Sequence, residues 1–509
     1  MNQLNRSKVT EGLHFSAKKI KDIGDTVLIN GKTIEEYFAY NGVSFWKCAQ
    51  PDMALHILPP ILFKNDVNNF YQSKAKLYLK SIKYQIKEIL STIRGQYFFN
   101  NSRSNNYVWF LLASTEYIYR DTLSVLNSQL NSNSIIVDNY VSLFNKSNKV
   151  RIFSCDWVKR LKLFFKIKGE FRRKRKYFYD NELDHLCSLH PEIPKRGMYL
   201  LIFWLTNVFV KRNIINLINT ENCFQYNLPQ VVVSGDVADP LNRFYSEVAK
   251  KRDILVVDIQ FGVYDETSVE WKFCLADKVI VWGKYFYNLF HDVHNIEKSK
   301  LEILGSPRFD YLLKRSDTIK VYSSNNIKIL FASMYTAISD YDASYDVSLI
   351  RKFKEMVISV CKEYENLVEL IIKPHPLEDI SWIKDISNDK FCKILEKKED
   401  IRNHLEDIDV FLTFGSTSTF DALLSNKIVL SANTQGLVWW DDLFIKEGVS
   451  ISIESESTLR NFILDFCSTN RERILEDNKI KINRFLENKV LHTDESSSVR
   501  IIRLISSFI

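Results

Sequence analysis

Hydrophobic positions fall into two regimes along this chain. From about residue 230 onward, short unbroken apolar runs alternate with longer amphipathic stretches. The runs are Gln230 to Val233, Ile254 to Ile259, Val279 to Trp282, Leu301 to Leu304, Ile327 to Phe331, Leu367 to Ile372, Ile408 to Thr413 and Ile428 to Leu430. Runs this short and this apolar predict strands buried on both faces. The gaps carry helical periodicity, most clearly at Pro240 to Lys251 and Val347 to Tyr364. Strand and helix in steady alternation predict an α/β fold built on doubly wound parallel sheets.

The first half is less regular. Asp25 to Ile29 and Lys32 to Tyr40 suggest a short strand or hairpin leading into a helix, and Phe45 to Leu58 and Tyr71 to Ile93 have helical spacing. Tyr107 to Leu112 predicts a buried strand, Tyr117 to Leu130 a helix, and Ser134 to Val137 a second strand, so a sheet already begins here. A boundary near Ala276 to Lys278 divides the pattern into a domain over residues 1–277, with helical N-terminal additions, and a domain over 278–457. The tail, 458–509, predicts helices.

At 509 residues the chain is too long for one ordinary core. Its 46% hydrophobic and 26% charged content fits a globular protein. The longest apolar stretch, Met198 to Val210, is too short to span a bilayer as a helix and predicts a buried one. The start of the chain, Met1 to Arg6, lacks a signal-peptide core, so a cytoplasmic location is expected. The eight cysteines are scattered without a CxxC pair, which points to reduced thiols rather than zinc or disulfides. With 14 glycines there is neither GxGxxG nor GxxxxGK[ST], which argues against a dinucleotide fingerprint or a P-loop.

Two strand ends carry the chemistry. Lys373-Pro374-His375-Pro376 follows one apolar run, and Gly415-Ser416-Thr417-Ser418-Thr419 follows another and opens a helix at Phe420. Flanking prolines present His375 on a stiff loop, where an imidazole can bond a phosphate oxygen and Lys373 can add charge. The alternative is a turn in which His375 merely bonds local backbone. Ser416, Thr417, Ser418 and Thr419 set four hydroxyls and several N–H groups at a helix start, which favours anions. One hydroxyl would suffice for a simple N-cap. Parallel strands place both ends on one carboxyl edge, the usual ligand edge of open α/β sheets, so a phosphate-bearing, nucleotide-activated ligand is expected.

Three further features are weighed with these. Gly305-Ser306-Pro307-Arg308 follows a strand, and Arg308 could reach a phosphate or pair with Asp310. Asp236 and Asp239 follow the strand at Gln230, and Asp265 and Glu266 follow Gln260-Phe261-Gly262. Asp236 is the better candidate for a general base, against the plainer role of capping a helix. Trp157 to Lys176 is basic and aromatic, so peripheral contact with an anionic membrane surface stands beside a solvated charge run as its explanation. The net charge of +7 is compatible with acidic ligands. No nucleic-acid module accompanies it. No metal is required, because there is no compact DxD in a plausible site, and no cofactor is implied.

In order, SPRFD, KPHP and GSTSTFDAL over about Gln230 to Leu430 resemble the bacterial surface-polysaccharide glycosyltransferases of the GT-B fold. That group includes capsule polysialyltransferases and other sialyltransferases, capsule Kdo transferases and, more remotely, teichoic-acid glycerophosphotransferases. The resemblance implies two Rossmann-like domains with a cleft between them. It implies a nucleotide-sugar donor held by the second domain, with His375-Pro376 and Ser416 to Thr419 on its phosphate and nucleotide. It further implies a glycan or glycolipid acceptor, with work at the inner face of the cytoplasmic membrane on capsule or lipopolysaccharide. Related chains often carry Gln-His-Gly where this one has Gln260-Phe261-Gly262, and their acidic motif has no clean match. The alternatives are a polyol-phosphate transferase, a nucleotide-sugar epimerase and a non-catalytic scaffold on the same fold.

Overall fold

The computed structural model describes residues 6–63, 108–112, 117–130, 134–138, 157–226, 228–310, 326–334, 347–376, 378, 380–386, 390–434, 442–468, 471–491 and 495–509. The helix expected at Tyr71 to Ile93 lies outside them. The chain divides into two compact units. One comprises Glu11–Phe261, Glu266–Arg308 and Asp494–Ile509. The other comprises Met1–Thr10, Gly262–Asp265 and Phe309–Thr493.

The first unit is built on β1 (Val108–Leu112), β2 (Ser134–Asp138), β3 (Val231–Ser234), β4 (Leu255–Ile259), β5 (Lys278–Val281) and β6 (Leu301–Ile303). They form one sheet in the order β2-β1-β3-β4-β5-β6, with every pair parallel. Strand order therefore reverses between β1 and β3, the switch point where such sheets take ligands. Val108, Phe110, Val231, Val233, Val257, Ile259 and Ile280 pack with Leu123 and Leu126 of helix α1 (Tyr117–Gln129). Ile501 and Ile505 of the last helix, Ser497–Ser506, complete this core.

Helix α2 (Trp157–Asn181) and a continuous helix over Lys195–Gln225, α3, flank this unit's N-terminal additions. The 31-residue length of α3 corrects the expectation of a short apolar helix. It is long and apolar enough to cross a membrane, yet 72% of its most apolar window is buried inside the protein. Polar residues such as Lys211 and Arg212 conceal its length in the sequence. Helix α4 (Pro240–Lys250) starts on the Asp239 carboxylate, which accepts from Leu241 and Asn242 N–H, with proline in the first turn.

The second unit has β7 (Ile327–Ala332), β8 (Val368–Lys373), β9 (Cys392–Ile394), β10 (Val410–Thr413), β11 (Ile428–Ala432) and β12 (Ile451–Ile453). The order β9-β8-β7-β10-β11-β12 is again wholly parallel. In sequence rank it is 3-2-1-4-5-6, with the switch point between β7 and β10. Helices α5 (Val347–Glu363), α6 (Ser418–Leu424), α7 (Glu456–Cys467) and α8 (Arg471–Lys489) belong to this unit. Ile350, Phe353, Val357 and Val360 of α5, with Leu459, Ile463 and Phe466 of α7, close over the strands.

Both units are thus Rossmann-like α/β sheets, the pair of components of a GT-B-like chain. The expected boundary at 277/278 is corrected. β5 pairs with β4 and β6 with β5, so residues 278–308 finish the first sheet. Strand–helix alternation runs unbroken across the junction, so periodicity could not mark it.

Candidate functional site

Register fixes the carboxyl edge of the second sheet. Lys373 is level with Ala332, and Leu412 with Phe331, so Thr413 is also level with Ala332. The KPHP loop and the GSTST loop therefore leave the same edge on either side of β7, about 10 Å apart at normal strand spacing.

His375 is half-buried on its loop. Its backbone N–H donates to Glu378 Oε2 at 3.0 Å, and its carbonyl accepts from Glu378 N–H at 2.9 Å. Burial lowers the imidazole pKa, with Lys373 and Lys354 adding to that and Glu378 opposing it. The ring is therefore neutral at pH 7, able to donate from one nitrogen and accept at the other.

Glu378 is the organiser that the sequence did not announce. It is 1% exposed. Ser333 Oγ, at the end of β7, donates to its Oε1 at 2.9 Å, and Trp382 Nε1 does so at 2.9 Å. Lys354 Nζ, from α5, pairs with the same oxygen and also donates to Met334 O at 2.7 Å. The Lys354 ammonium lies 4.7 Å from the Trp382 ring centroid. A buried ion pair thus ties a helix, a strand end and the His375 loop together. Its one visible signal is a carboxylate three residues after His375.

Lys373 takes a different part from the phosphate contact expected of it. Its Nζ donates to Pro374 O at 2.8 Å and Lys397 O at 2.9 Å, and the residue is buried. Two of its three hydrogens bind this loop to its neighbour. Its charge still adds to the local positive potential.

Gly415 has φ +76°, the left-handed conformation that lets the chain turn from β10 into α6. Ser416 is exposed, and Thr417 and Ser418 are half-exposed. Ser418 N–H donates to Ser416 Oγ at 3.2 Å, and Thr419 N–H to Ser416 O at 2.9 Å. The loop thus satisfies its own first N–H groups, and the expected appeal of unpaired helix donors is reduced. Thr419 is 0% exposed, and its hydroxyl meets no hydrogen-bond partner among the described residues. It faces the core and drops out of the ligand set. In the same unit, Val263 N–H donates to Thr417 Oγ1 at 3.4 Å.

Asp236 sits at the switch point of the first sheet. Its Oδ1 accepts from Ala238 N–H at 3.0 Å and Asp239 N–H at 3.1 Å, so it forms a turn, while the helix cap weighed against catalysis is supplied by Asp239. Burial raises its pKa, while those N–H groups and Arg243 oppose the rise. Burial also raises that of Asp239, and the Asp236 charge adds to the effect. Buried Arg243 donates to the carbonyls of Lys47, Val237 and Phe273. Asp258, on β4 beside Ser234, is raised to about 6 by burial. Phe261 is buried over Gly235.

Arg308 is buried in the first-sheet unit and not in the second, where the expected boundary put it. The turn before it is held from the C-terminus. Gly305 has φ +81°, and a Cβ there would sit 2.4 Å from Ser497 Oγ. Arg500 Nε and Nη2 donate to Leu304 O at 3.1 and 2.9 Å. Among the described residues no His/Cys/Asp/Glu group could hold a metal.

No protein-family model matches the chain. No curated protein matches it by sequence either. Among solved structures, it is similar to the UDP-GlcNAc 2-epimerase of Methanocaldococcus jannaschii in complex with UDP-GlcNAc and UDP. That match has 13% identity and a TM-score of 0.46, covering 79% of this chain and 99% of that one. The Neisseria meningitidis UDP-GlcNAc 2-epimerase bound to UDP-GlcNAc gives 12%, 0.47, 79% and 99%. The wall teichoic acid polymerase TagF gives 13%, 0.45, 87% and 98%.

Proposed function

We propose that this chain is a nucleotide-sugar-dependent glycosyltransferase that extends a bacterial surface glycan. The observation that carries the reading is the shared carboxyl edge of the second sheet. There, a half-buried neutral His375 and the hydroxyls of Ser416, Thr417 and Ser418 emerge on either side of β7. Hydroxyls and an imidazole are suited to phosphate oxygens, and a switch-point edge suits a nucleotide. His375 would donate to the leaving phosphate as the glycosidic bond breaks, stabilising the charge that develops there. The choice of a sugar donor and a glycan acceptor rests on the ordered motifs, which resemble those of capsule and lipopolysaccharide transferases.

Asp236 is the candidate base for the acceptor hydroxyl. Its raised pKa and its place at the first sheet's switch point support that role. Arg308, which belongs to the first unit, is not assigned to the donor.

The test is incubation of the full chain with CMP- and UDP-linked sugars and a glycan acceptor, reading free nucleotide and product mass. Nucleotide release with a lengthened glycan supports the proposal. An altered sugar on an intact nucleotide means epimerisation. Release with a phosphodiester product means polyol-phosphate transfer. Absence of nucleotide binding by calorimetry means a scaffold. Each of these last three outcomes overturns it.

A further inference from the structure

Helix α2 presents two chemically distinct faces. Arg160, Phe164, Ile167, Phe171 and Phe178 are buried. Phe171 meets Phe45 at 4.8 Å between centroids, and Phe178 meets Phe38 at 5.5 Å. The opposite face carries Val158, Lys162, Phe165, Arg172 and Lys176, all exposed. At 3.6 residues per turn these five fall within about 80° of arc, a continuous stripe along the helix. Its apolar members are open to solvent and share the face with the cations, with Phe165 59% and Val158 42% exposed. Tyr177, at 45%, lies about 100° round the helix from the stripe's centre and outside it. Arg173 and Lys166 border it, also exposed. The helix has two acids, and one of them, Glu170, is paired with Lys174 at 2.9 Å.

Positive charge continues onto the neighbouring helix α3. Burial lowers Lys211 to about 8, and Arg175, Lys168 and Arg172 push it the same way. These cations repel one another, so this side of the unit holds a concentrated positive field. The positive field is complementary to anionic headgroups, and the exposed Phe165 and Val158 match the interfacial layer below them. A polyanion such as RNA would take up the charge but gives an open valine and phenylalanine no apolar phase.

We propose that the Val158–Lys176 face of α2 is a docking surface for anionic phospholipid bilayers. Lys162, Arg172, Arg173 and Lys176 would meet the headgroups while Phe165 and Val158 enter the interface, with α2 lying parallel to the surface.

The experiment is flotation of the full chain with two kinds of vesicle, phosphatidylcholine alone and equal parts phosphatidylcholine and phosphatidylglycerol. The expected result is flotation with the anionic vesicles only, reversed by high salt. Replacing Arg172, Arg173 and Lys176 together by Gln should weaken the vesicle affinity by roughly 100-fold, at several-fold per cation. Phe165→Ser should weaken it separately by about tenfold without altering net charge. These side chains are exposed, and thermal melting checks that each variant folds. If the triple variant does not fold, Phe165→Ser and salt reversal decide the matter. Equal flotation on both vesicles would overturn the proposal. So would unaltered binding by Phe165→Ser, or binding to RNA at a salt concentration where neither vesicle is bound.

Discussion

The ring of Phe261 occupies the space that a side chain at Gly235 would need. An ideal Cβ on Gly235 would sit 1.7 Å from Phe261 Cε2. The two residues follow adjacent strands, β3 and β4, and Gly235 leads directly into Asp236. Glycine is therefore required here by a neighbour's ring and not by its own backbone angle. Gly235→Ala should destabilise the protein by about 2 kcal/mol through overpacking. Combined with Phe261→Ala, the total loss should be smaller than the sum of the two single losses, because the two changes share one space. Urea unfolding of the two single variants and the double measures it. Strictly additive losses would show that the ring and the glycine do not compete.

Glu378 and Lys354 form a buried ion pair with almost no exposure on either side chain. Removing one partner strands the other charge, so Glu378→Gln should cost about 3 kcal/mol or more. The double variant Glu378→Leu/Lys354→Met should be less damaged than Glu378→Gln. Because Glu378 holds the backbone of His375, both forms should bind donor nucleotide more weakly. Thermal melts and nucleotide calorimetry separate the two effects. Donor affinity untouched in a folded double variant would deny Glu378 its positioning role.

Burial holds His375 neutral in the free protein. A phosphate group beside it would favour the charged form and raise its pKa. Nucleotide binding should therefore take up protons on the acid side of neutrality, and affinity should increase as pH falls there. Calorimetry in two buffers of different ionisation enthalpy reads the uptake. His375→Ala should abolish the uptake and reduce turnover by orders of magnitude. A wild-type binding enthalpy independent of buffer would remove His375 from the phosphate.

Asp258 should set the direction of stability against pH. Its folded pKa of about 6 lies above that of an ordinary carboxyl, and burial is the cause. Between about pH 4 and pH 6 the folded state holds more protons than the unfolded state, so stability falls as pH rises across that window. Asp258→Asn should remove this loss and stabilise the protein at pH 7 by about 2 kcal/mol. Melting temperatures from pH 4 to pH 8 provide the check. A variant no more stable than wild type at pH 7, or a wild type that gains stability from pH 4 to pH 6, would contradict it.

By itself the sequence determined the inner strands, because a strand covered on both faces must be apolar throughout, whereas the short, partly exposed edge strands Cys392–Ile394 and Ile451–Ile453 carry no such run and were not anticipated. The runs around Val232, Val257, Ile329, Ile371, Leu412 and Leu430 could hardly be anything else. It also marked the two polar strand ends, since proline pairs and clustered hydroxyls stand out against such runs. Only the tertiary structure decided the rest. The junction between units was invisible because alternation continues through Lys278 and Leu301, and pairing alone assigns those strands to the first sheet. Arg500 bonds the carbonyl of Leu304 from far along the chain. Thr419 turns to the core while Ser416 stays exposed, although the two look alike in the sequence. Lys373 spends its hydrogens on carbonyls, and Glu378 acquires its importance from Lys354 on another element. Local chemistry follows from a residue's neighbours in sequence, whereas partnership and burial follow from neighbours in space.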